Sequence, residues 1–168
     1  RREGSTKLGA ENQYGTFPSV SIGADLAQML DLSGVQQLKP RISWGVTGNL
    51  PNEAGLAQEI RGWSWGGGGS AGGSTQLLRA ANPDLKWETT EQVNLGLDFA
   101  FFESRVTATV DVYSKLTKDL LQNVPIPLSS GFLNVQVNRG EIENKGIEAS
   151  LNNIILDNND FTLTIGEN

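Results

Sequence analysis

Residues 93–113 alternate between apolar and polar side chains in two successive runs, and this pattern limits the fold more than any other feature. The apolar parity holds Val93, Leu95, Leu97, Phe99 and Phe101 in the first run, and Val106, Ala108, Val110 and Val112 in the second. A period of two predicts β-strands, because successive side chains of a strand point to opposite faces. A turn at Glu103-Ser104 makes the runs a hairpin in which Phe101 pairs with Val106, and three further apolar pairs follow, ending at Leu95 with Val112. A four-residue loop keeps the same register.

The polar parity of this hairpin agrees with the same register. It sets Asp98 opposite Thr109 and Gly96 opposite Asp111. Asp98 and Asp111 therefore share one polar patch, where we expect them to accept hydrogen bonds from Thr109 and neighbouring side chains.

Weaker alternation marks further strands along the chain. These segments cover residues 20–26, 42–46, 147–151 and 161–165, and an incomplete strand lies at the very start. A helical turn is expected between residues 29 and 38. The pattern as a whole predicts an all-β protein of antiparallel strands.

The two faces of the predicted strands differ in a way that bears on the class of protein. One parity is apolar and uncharged, and the other consists of Ser, Thr, Gly and Asn with scattered Asp and Arg. A soluble sandwich buries its apolar face against a second sheet. A transmembrane barrel instead turns that face to lipid and its small polar face to a lumen. The pattern alone leaves both interpretations open.

Aromatic residues near the predicted strand ends bear on the same choice. They are Phe17, Trp87, Phe101, Phe102, Tyr113 and Phe161. In a membrane barrel such residues form a girdle at the lipid–water interface. In a soluble sandwich they would belong to the core.

The predicted connections alternate in length. Residues 49–86 and 119–144 are long connections, whereas 103–104 and 154–158 are short. Outer-membrane barrels have long extracellular loops and short periplasmic turns, so the long connections are predicted to be extracellular. Residues 60–65 and 75–80 could form an additional hairpin inside the first loop.

Composition excludes several kinds of site. The chain of 168 residues has no Cys and no His, and its formal net charge is −6. Disulfide frameworks, Cys or His zinc sites and His-dependent nucleophiles are therefore excluded, and nucleic acid is disfavoured as a partner. No apolar run approaches the ~20 residues that a transmembrane helix requires. We expect no enzymatic activity, no cofactor and no metal.

The two best candidates for ligand binding, Trp63 and Trp65, lie just before a glycine-rich run. Residues 66–73 lack the Gly-Lys-Ser/Thr of a phosphate-binding loop and predict a flexible extracellular loop. Trp63 and Trp65, just before it, would face one side of an extended segment. Their rings could stack on sugars, or they could pack within the loop or against a partner protein.

Two other segments have simpler interpretations. The acidic and amide run 157–160 lacks the Gly and the distal Glu of a calcium loop, and it predicts a polar periplasmic turn. Residues 123–128 contain two prolines and predict an extended loop segment folding over the barrel mouth.

An ordered set of short motifs resembles the C-terminal part of the barrel in the SusC/RagA family of TonB-dependent outer-membrane transporters from Bacteroidetes. The motifs are Arg1-Arg2-Glu3-Gly4-Ser5, Tyr14-Gly15-Thr16-Phe17-Pro18-Ser19, Ser43-Trp44-Gly45-Val46-Thr47-Gly48-Asn49, Asn82-Pro83-Asp84-Leu85-Lys86-Trp87-Glu88-Thr89-Thr90, Phe101-Phe102-Glu103-Ser104-Arg105, Thr117-Lys118-Asp119-Leu120-Leu121 and Gly140-Glu141-Ile142-Glu143-Asn144-Lys145-Gly146-Ile147-Glu148. They occur in the family's order and span almost the whole chain.

The resemblance implies a barrel of about 22 strands that encloses a plug domain. It also implies coupling to TonB, a SusD-like surface lipoprotein as a lid, and contact with outer-membrane lipid. The predicted strands are too few to close such a barrel, so residues 1–168 are expected to be one barrel segment of a larger polypeptide. The plug and the TonB-contact segment of the family would lie upstream.

The resemblance implies import of an oligosaccharide or a peptide across the outer membrane of a Gram-negative bacterium, without chemistry on the substrate. The alternative is a secreted soluble all-β carbohydrate-binding module. These two interpretations differ in whether the apolar parity meets lipid or a second sheet.

Overall fold

The computed structural model describes residues 1–52, 56–57, 60–65, 73–158 and 161–168, with only the backbone described at 60–65, 73–79 and 158. Its strands are β1 (Arg2–Gly4), β2 (Tyr14–Thr16), β3 (Ser19–Gly23), β4 (Val35–Asn49), β5 (Ile60–Trp65), β6 (Gly73–Arg79), β7 (Glu88–Phe101), β8 (Val106–Lys118), β9 (Leu121–Pro125), β10 (Asn134–Asn138), β11 (Glu141–Asn158) and β12 (Phe161–Glu167). A short helix, α1, covers Leu26–Met29, and a 3₁₀ turn covers Leu128–Ser130. No helix within the described residues is long and apolar enough to cross a membrane.

Six of the strands form one sheet in the order β12-β11-β8-β7-β4-β3. The pairs β3–β4 and β11–β12 are antiparallel. Each of the six strands overlaps one of the six complete alternating segments of the sequence, which confirms their existence, although β4 and β11 are much longer than predicted. The incomplete first strand is β1, which pairs with β2 outside this sheet.

Two hairpins lie in the long connections. Strands β5 and β6 pair with Trp63 opposite Thr75 and Trp65 opposite Gly73, as the optional hairpin in the first loop predicted. Strands β9 and β10 pair with Val124 opposite Val135, so residues 119–140 are an ordered hairpin connection. The sequence analysis missed this second hairpin and placed the end of the loop at residue 144, whereas β11 begins at Glu141.

Contacts divide the chain into two compact units. The first, here called the loop unit, comprises Arg1–Pro18, Thr47–Thr90 and Thr117–Ile142. The second, here called the sheet unit, comprises Ser19–Val46, Glu91–Leu116 and Glu143–Asn168. The boundary falls within the long strands, so each unit contains only part of β4, β7, β8 and β11.

The loop unit has an apolar core built around one segment, residues 82–88. Leu85 is fully buried, and Leu8, Leu56, Phe17 and Trp87 are buried with it. The rings of Phe17 and Trp87 meet edge to face, with centroids 5.2 Å apart. Of the two interpretations of these aromatics, a membrane girdle and a core, the core is confirmed for Phe17 and Trp87 because both are buried in one.

Two hydrogen bonds attach the N-terminal part of the chain, at Gly9 and Gln13, to the same segment. Gly9 donates its N–H to the Leu85 carbonyl at 3.0 Å, and the Trp87 indole N–H donates to the Gln13 carbonyl at 3.3 Å. A Cβ built on Gly9 would collide with the Pro83 carbonyl oxygen, so only glycine permits this close approach.

The sheet unit has a large exposed apolar face. Val20, Ile22, Ile147, Phe161 and Ile165 all lie on the apolar parity of their strands, and all are exposed. The buried apolar residues among the described part of this unit are only Ala27 and Ala100. A sandwich would bury such a face against a second sheet, and none of the described strands covers it.

A β-bulge in β11 explains one error of the sequence analysis. The register shifts between Ile154 and Leu156, after which Leu156 pairs with Leu163 and Asp157 with Thr162. The extra residue moves the apolar parity from odd to even numbers, and it turns Asp157 to the polar face. There Thr162 Oγ1 donates to Asp157 Oδ1 at 3.0 Å. The turn predicted at 154–158 is therefore wrong, because the alternation is broken by the bulge while the strand continues to Asn158.

Two other connections differ in detail from their predictions. Asp25 caps α1 by accepting from the Ala27 N–H, so the helical turn lies just before residues 29–38, and β4 already begins at Val35. Residues 102–105 form a four-residue loop between β7 and β8, which is the variant that preserves the predicted register. Phe102, Glu103 and Ser104 all adopt positive φ in this loop.

We expect Leu85→Ala in the full-length protein to loosen the loop unit by roughly 2–5 kcal/mol, because it leaves a cavity in a fully buried site. Hydrogen exchange of residues 119–140 measures the effect, and protection there should fall. Leu128→Ala removes the same atoms from an exposed side chain and should leave protection unchanged. Equal protection in both variants would contradict the role of Leu85 as the core of this unit.

Candidate functional site: the charged face of the sheet

Three charged side chains from neighbouring strands meet on the polar face of the sheet unit. Arg41 belongs to β4, Asp98 to β7 and Asp111 to β8, and the sheet order makes β7 the middle strand. Each lies on the polar parity of its strand, opposite the exposed apolar side chains. The alternation of the sequence therefore puts all three on one face.

The guanidinium of Arg41 binds both carboxylates. Its Nε and Nη2 donate to the two oxygens of Asp98 at 2.8 and 3.0 Å, which is a bidentate contact. Nη2 also donates to Asp111 Oδ1 and Oδ2 at 3.3 and 3.4 Å. The planar fork of arginine makes this geometry possible, whereas lysine would offer a single point charge.

Two neutral side chains complete the cluster. Thr109 Oγ1 donates to Asp98 at 3.3 Å, and Asn94 Nδ2 donates to Asp111 at 3.3 Å. The contact between Thr109 and Asp98 confirms the predicted pairing of these residues. The Asn94 Oδ1 atom is buried and has no hydrogen-bond partner among the described residues.

Gly96 makes room for the guanidinium. A Cβ at this position would lie 2.5 Å from Asp111 Oδ1 and 2.7 Å from the Arg41 Cζ. Any side chain on Gly96 would therefore displace the ion pairs. The predicted opposition of Gly96 and Asp111 is confirmed by this contact.

The cluster is partly shielded from water and carries a formal charge of −1. The side chains of Arg41, Asp98 and Asp111 are 35%, 21% and 23% exposed. Ion pairs at this exposure contribute modestly to the free energy of unfolding. Because Arg41 contacts carboxylates on both β7 and β8, they also favour one register among the three strands.

Polar grooves surround the cluster. One of about 540 Å³ is lined by Arg41, Asn94, Asp111, Lys115 and Glu148, among others. Such a surface offers hydrogen-bond donors and acceptors of both charges to a polar solute. It contains no His or Cys, and the described residues contain no group of three carboxylates placed to hold a metal ion.

Comparison with known proteins identifies the protein family to which this sheet, with one apolar and one polar face, belongs. The family model described as "TonB dependent receptor-like, beta-barrel" matches residues 2–167. The chain belongs to this family. TonB-dependent receptor SusC of Bacteroides thetaiotaomicron is 35% identical over the whole chain, and TonB-dependent receptor P39 of Formosa agariphila is 36% identical over the whole chain.

Solved structures agree with this assignment. A RagAB peptide importer in its closed-closed state matches 96% of the chain with a TM-score of 0.85 and 30% identity, and in its open-open state 95% with a TM-score of 0.79 and 30% identity. The chain covers 18% of the matched chain in each of these structures. It likewise spans 18% of SusC and 16% of P39. The predicted resemblance to SusC and RagA is confirmed, and the segment is an antiparallel part of a receptor barrel, with its sheet not closed on itself.

The apolar face of this receptor segment ends at a polar border on β4 and β7. Trp44 shares a parity with Ile42, and its indole N–H donates to Glu91 Oε1 at 2.8 Å. Glu91 is the position before Val93 on the apolar parity of β7. An indole with one apolar side and one hydrogen-bonded end is typical of a membrane interface. The sequence analysis missed Trp44 because it sought aromatics only at strand ends.

Tyr113 does not fit the girdle interpretation of the aromatics near strand ends. It lies on the polar parity of β8, and its ring covers Gly146 of β11, where a Cβ would lie 2.6 Å from the Tyr113 hydroxyl oxygen. Phe102 and Phe161 are exposed, so their place in a girdle stays a prediction.

Trp63 and Trp65 belong to the loop unit and not to the charged cluster. Both lie in β5, two residues apart and therefore on the same face of the strand. Their side chains lie outside the described part of the chain. Their role in ligand binding stays a prediction.

The sequence analysis recognised Asp98 and Asp111 but not Arg41 as their partner. The predicted strand 42–46 begins one residue after Arg41, and no contact was predicted for this side chain. The partners of Arg41 depend on the register between β4 and β7. Residues 50–87 separate these strands, so no short turn in the sequence indicates that register. Only the fold brings these residues together.

A double-mutant cycle on Arg41→Ala and Asp98→Ala should give a coupling free energy of about 1 kcal/mol, as expected for a partly shielded bidentate pair. Denaturant unfolding of the full-length receptor in detergent measures it. Lys145 and Glu143 form an exposed pair at 2.7 Å in the same unit and provide the control. A coupling no larger than that of the control pair would contradict the bracing role of Arg41.

Proposed function

We propose that this chain forms part of the wall of a TonB-dependent transporter that imports oligosaccharides or peptides across the outer membrane. The observation that carries the proposal is the sheet itself, with an exposed apolar face opposite a charged, hydrogen-bonding face. Lipid would cover the first face, and the second would line the solute path. The family match over residues 2–167 supports the same conclusion.

The length of the apolar face fits a bilayer. From Glu91 to Phe101, β7 rises about 33 Å at about 3.3 Å per residue. A strand tilt of about 40° reduces this to about 25 Å along the membrane normal, which is the height of the apolar band in outer-membrane barrels. The chain would therefore cross the membrane several times with its strands.

The orientation follows from loop length. The connections at about 49–86 and 119–144 would face the cell exterior, and the short loop 102–105 would face the periplasm. The transporter would work with a SusD-like surface lipoprotein, and it would contact TonB through parts of the polypeptide outside this chain. The substrate would pass unchanged, since the charged face offers no nucleophile and base in a catalytic arrangement.

The relatives include a TonB-dependent receptor SusC and a RagAB peptide importer. The second of these is named for peptide import, and the resemblance to the SusC/RagA family adds oligosaccharides as the other substrate class of the proposal. The soluble carbohydrate-binding alternative has no comparable support, because exposed residues such as Ile147 and Phe161 would be unshielded in water.

Uptake by a strain that produces the full-length transporter tests the proposal. Radiolabelled oligosaccharides and peptides should accumulate in cells, and accumulation should stop when a protonophore removes the proton gradient. A strain lacking the gene should lose the uptake. Uptake that persists in that strain, or that is unaffected by the protonophore, would argue against energised import.

We further propose that Trp63 and Trp65 take part in substrate capture, since aromatic rings offer large contact area with few rotatable bonds. Replacing both by Ala should weaken substrate affinity by roughly tenfold, on the scale of a loss of about 1–2 kcal/mol for aromatic contacts. Isothermal titration of the purified transporter measures this. Phe102→Ala, an exposed aromatic in a short turn, is the control. Unchanged affinity in the Trp variant would remove these residues from the site.

A further inference from the structure

Three grooves adjoin one another on the polar face of the sheet unit. The central groove, of about 540 Å³, shares Asp111 and Glu148 with a groove of about 510 Å³ toward β11. It shares Arg41 and Asn94 with a groove of about 380 Å³ toward β3. Each volume lies within the range of ~300–1,000 Å³ that is typical of ligand pockets. A row of grooves that share their walls fits a solute made of several linked units.

Amide side chains supply the uncharged hydrogen-bonding groups of the central groove. Gln92, Asn94 and Asn144 line it, and all three lie on the polar parity of their strands. An amide offers both a donor and an acceptor, as a sugar hydroxyl does. Asn94 Nδ2 already donates to Asp111, whereas Asn94 Oδ1 is the buried acceptor without a partner among the described residues. A ligand hydroxyl would supply the missing donor.

Tyr113 adds an aromatic ring to the wall of the same groove. A Cβ on Gly146 would lie 2.6 Å from the Tyr113 hydroxyl oxygen and 2.7 Å from its Cζ, so the ring lies close against the backbone of β11. The Tyr113 side chain is only partly buried, and part of it stays accessible from the groove. An aromatic ring held by packing offers a large contact area with few rotatable bonds, which suits stacking on a sugar ring.

The charges and the backbone around the central groove favour a neutral sugar over a peptide. Two cations, Arg41 and Lys115, line the groove together with two carboxylates, so its formal charges cancel. Strands β7, β8 and β11 each lie between two neighbours in the sheet. Their backbone groups pair within the sheet, so no free edge is available to an extended peptide. Recognition in this groove therefore depends on side chains alone.

We propose that the central groove is a subsite for a neutral oligosaccharide, in which a sugar ring stacks on Tyr113 and its hydroxyls bond to Asn94 and Asn144. This inference rests on the proposed import function and specifies the substrate class that this part of the wall recognises. Gln92, Tyr113 and Asn144 lie nearer to the long connections than to the opposite ends of their strands. Under the proposed orientation, the subsite therefore lies in the extracellular half of the solute path.

The test measures binding of two kinds of probe to the full-length transporter in detergent. A panel of neutral oligosaccharides of glucose, mannose, galactose or xylose and a pool of synthetic peptides are screened on the immobilised protein. The oligosaccharide that binds best is then titrated calorimetrically. Tyr113→Leu should weaken its affinity roughly tenfold because the stacking face is lost, whereas Tyr113→Phe keeps the ring and should retain most of the affinity.

Asn144→Ala should weaken the affinity of the same oligosaccharide by roughly three- to tenfold, because it removes an exposed amide from the groove. Asn152→Ala is the matched control. Asn152 lies on the same strand and the same parity, opposite Gly166, and it lines none of the three grooves. This variant should bind like the unmodified transporter.

The outcomes separate this inference from the proposed function. Unchanged affinity in Tyr113→Leu and Asn144→Ala, or an equal loss in Asn152→Ala, would overturn the subsite and leave import standing. Binding of peptides alone, or of no oligosaccharide in the panel, would overturn the choice of a sugar. Only a loss of cellular uptake of both substrate classes would overturn the proposed function as well. Heat-modifiable migration shows whether each variant is folded, and Asn144→Ala keeps the test decisive if Tyr113→Leu is not.

Discussion

The six-stranded sheet must meet two different environments, and the rest of the structure depends on this constraint. Its apolar parity is exposed over long strands, and its opposite parity carries Arg41, Asp98 and Asp111. Water on both faces would leave the apolar side chains unshielded, whereas lipid on both would leave the ion cluster without solvation. The alternation of side chains is therefore maintained even where the backbone is irregular, as the bulge in β11 shows by returning Asp157 to the polar face.

The loop unit obeys a different rule, because it has a conventional buried core. Residues 82–88 supply two buried side chains, Leu85 and Trp87. The Leu85 carbonyl also accepts a hydrogen bond from Gly9, near the start of the chain. Glu88 and Asn138 then attach the β9–β10 hairpin to the same segment. Residues 82–88 therefore join the first residues of the chain and the β9–β10 hairpin into one unit.

Much of this fold could be predicted because alternation is a local signal. All six strands of the sheet were predicted, and so was the register that sets Asp98 against Thr109. The errors arose where information was not local. The end of β11 was misplaced because a bulge reverses the parity. The choice between girdle and core stayed open for Phe17 and Trp87, because no sequence pattern shows which distant residues cover them. Arg41 was unmatched for the same reason, since its partner strand follows a long connection.

The Arg41 cluster has a mechanical consequence. One guanidinium holds carboxylates on two further strands, so separating any neighbouring pair of these strands would leave a partly shielded charge without its counterion. Together with the backbone ladders, this diagonal brace gives the sheet resistance to shear as well as to stretching. Sliding of β4 past β7 by one residue would turn Arg41 to the opposite face from Asp98, so the bidentate contact also fixes the register between these two strands.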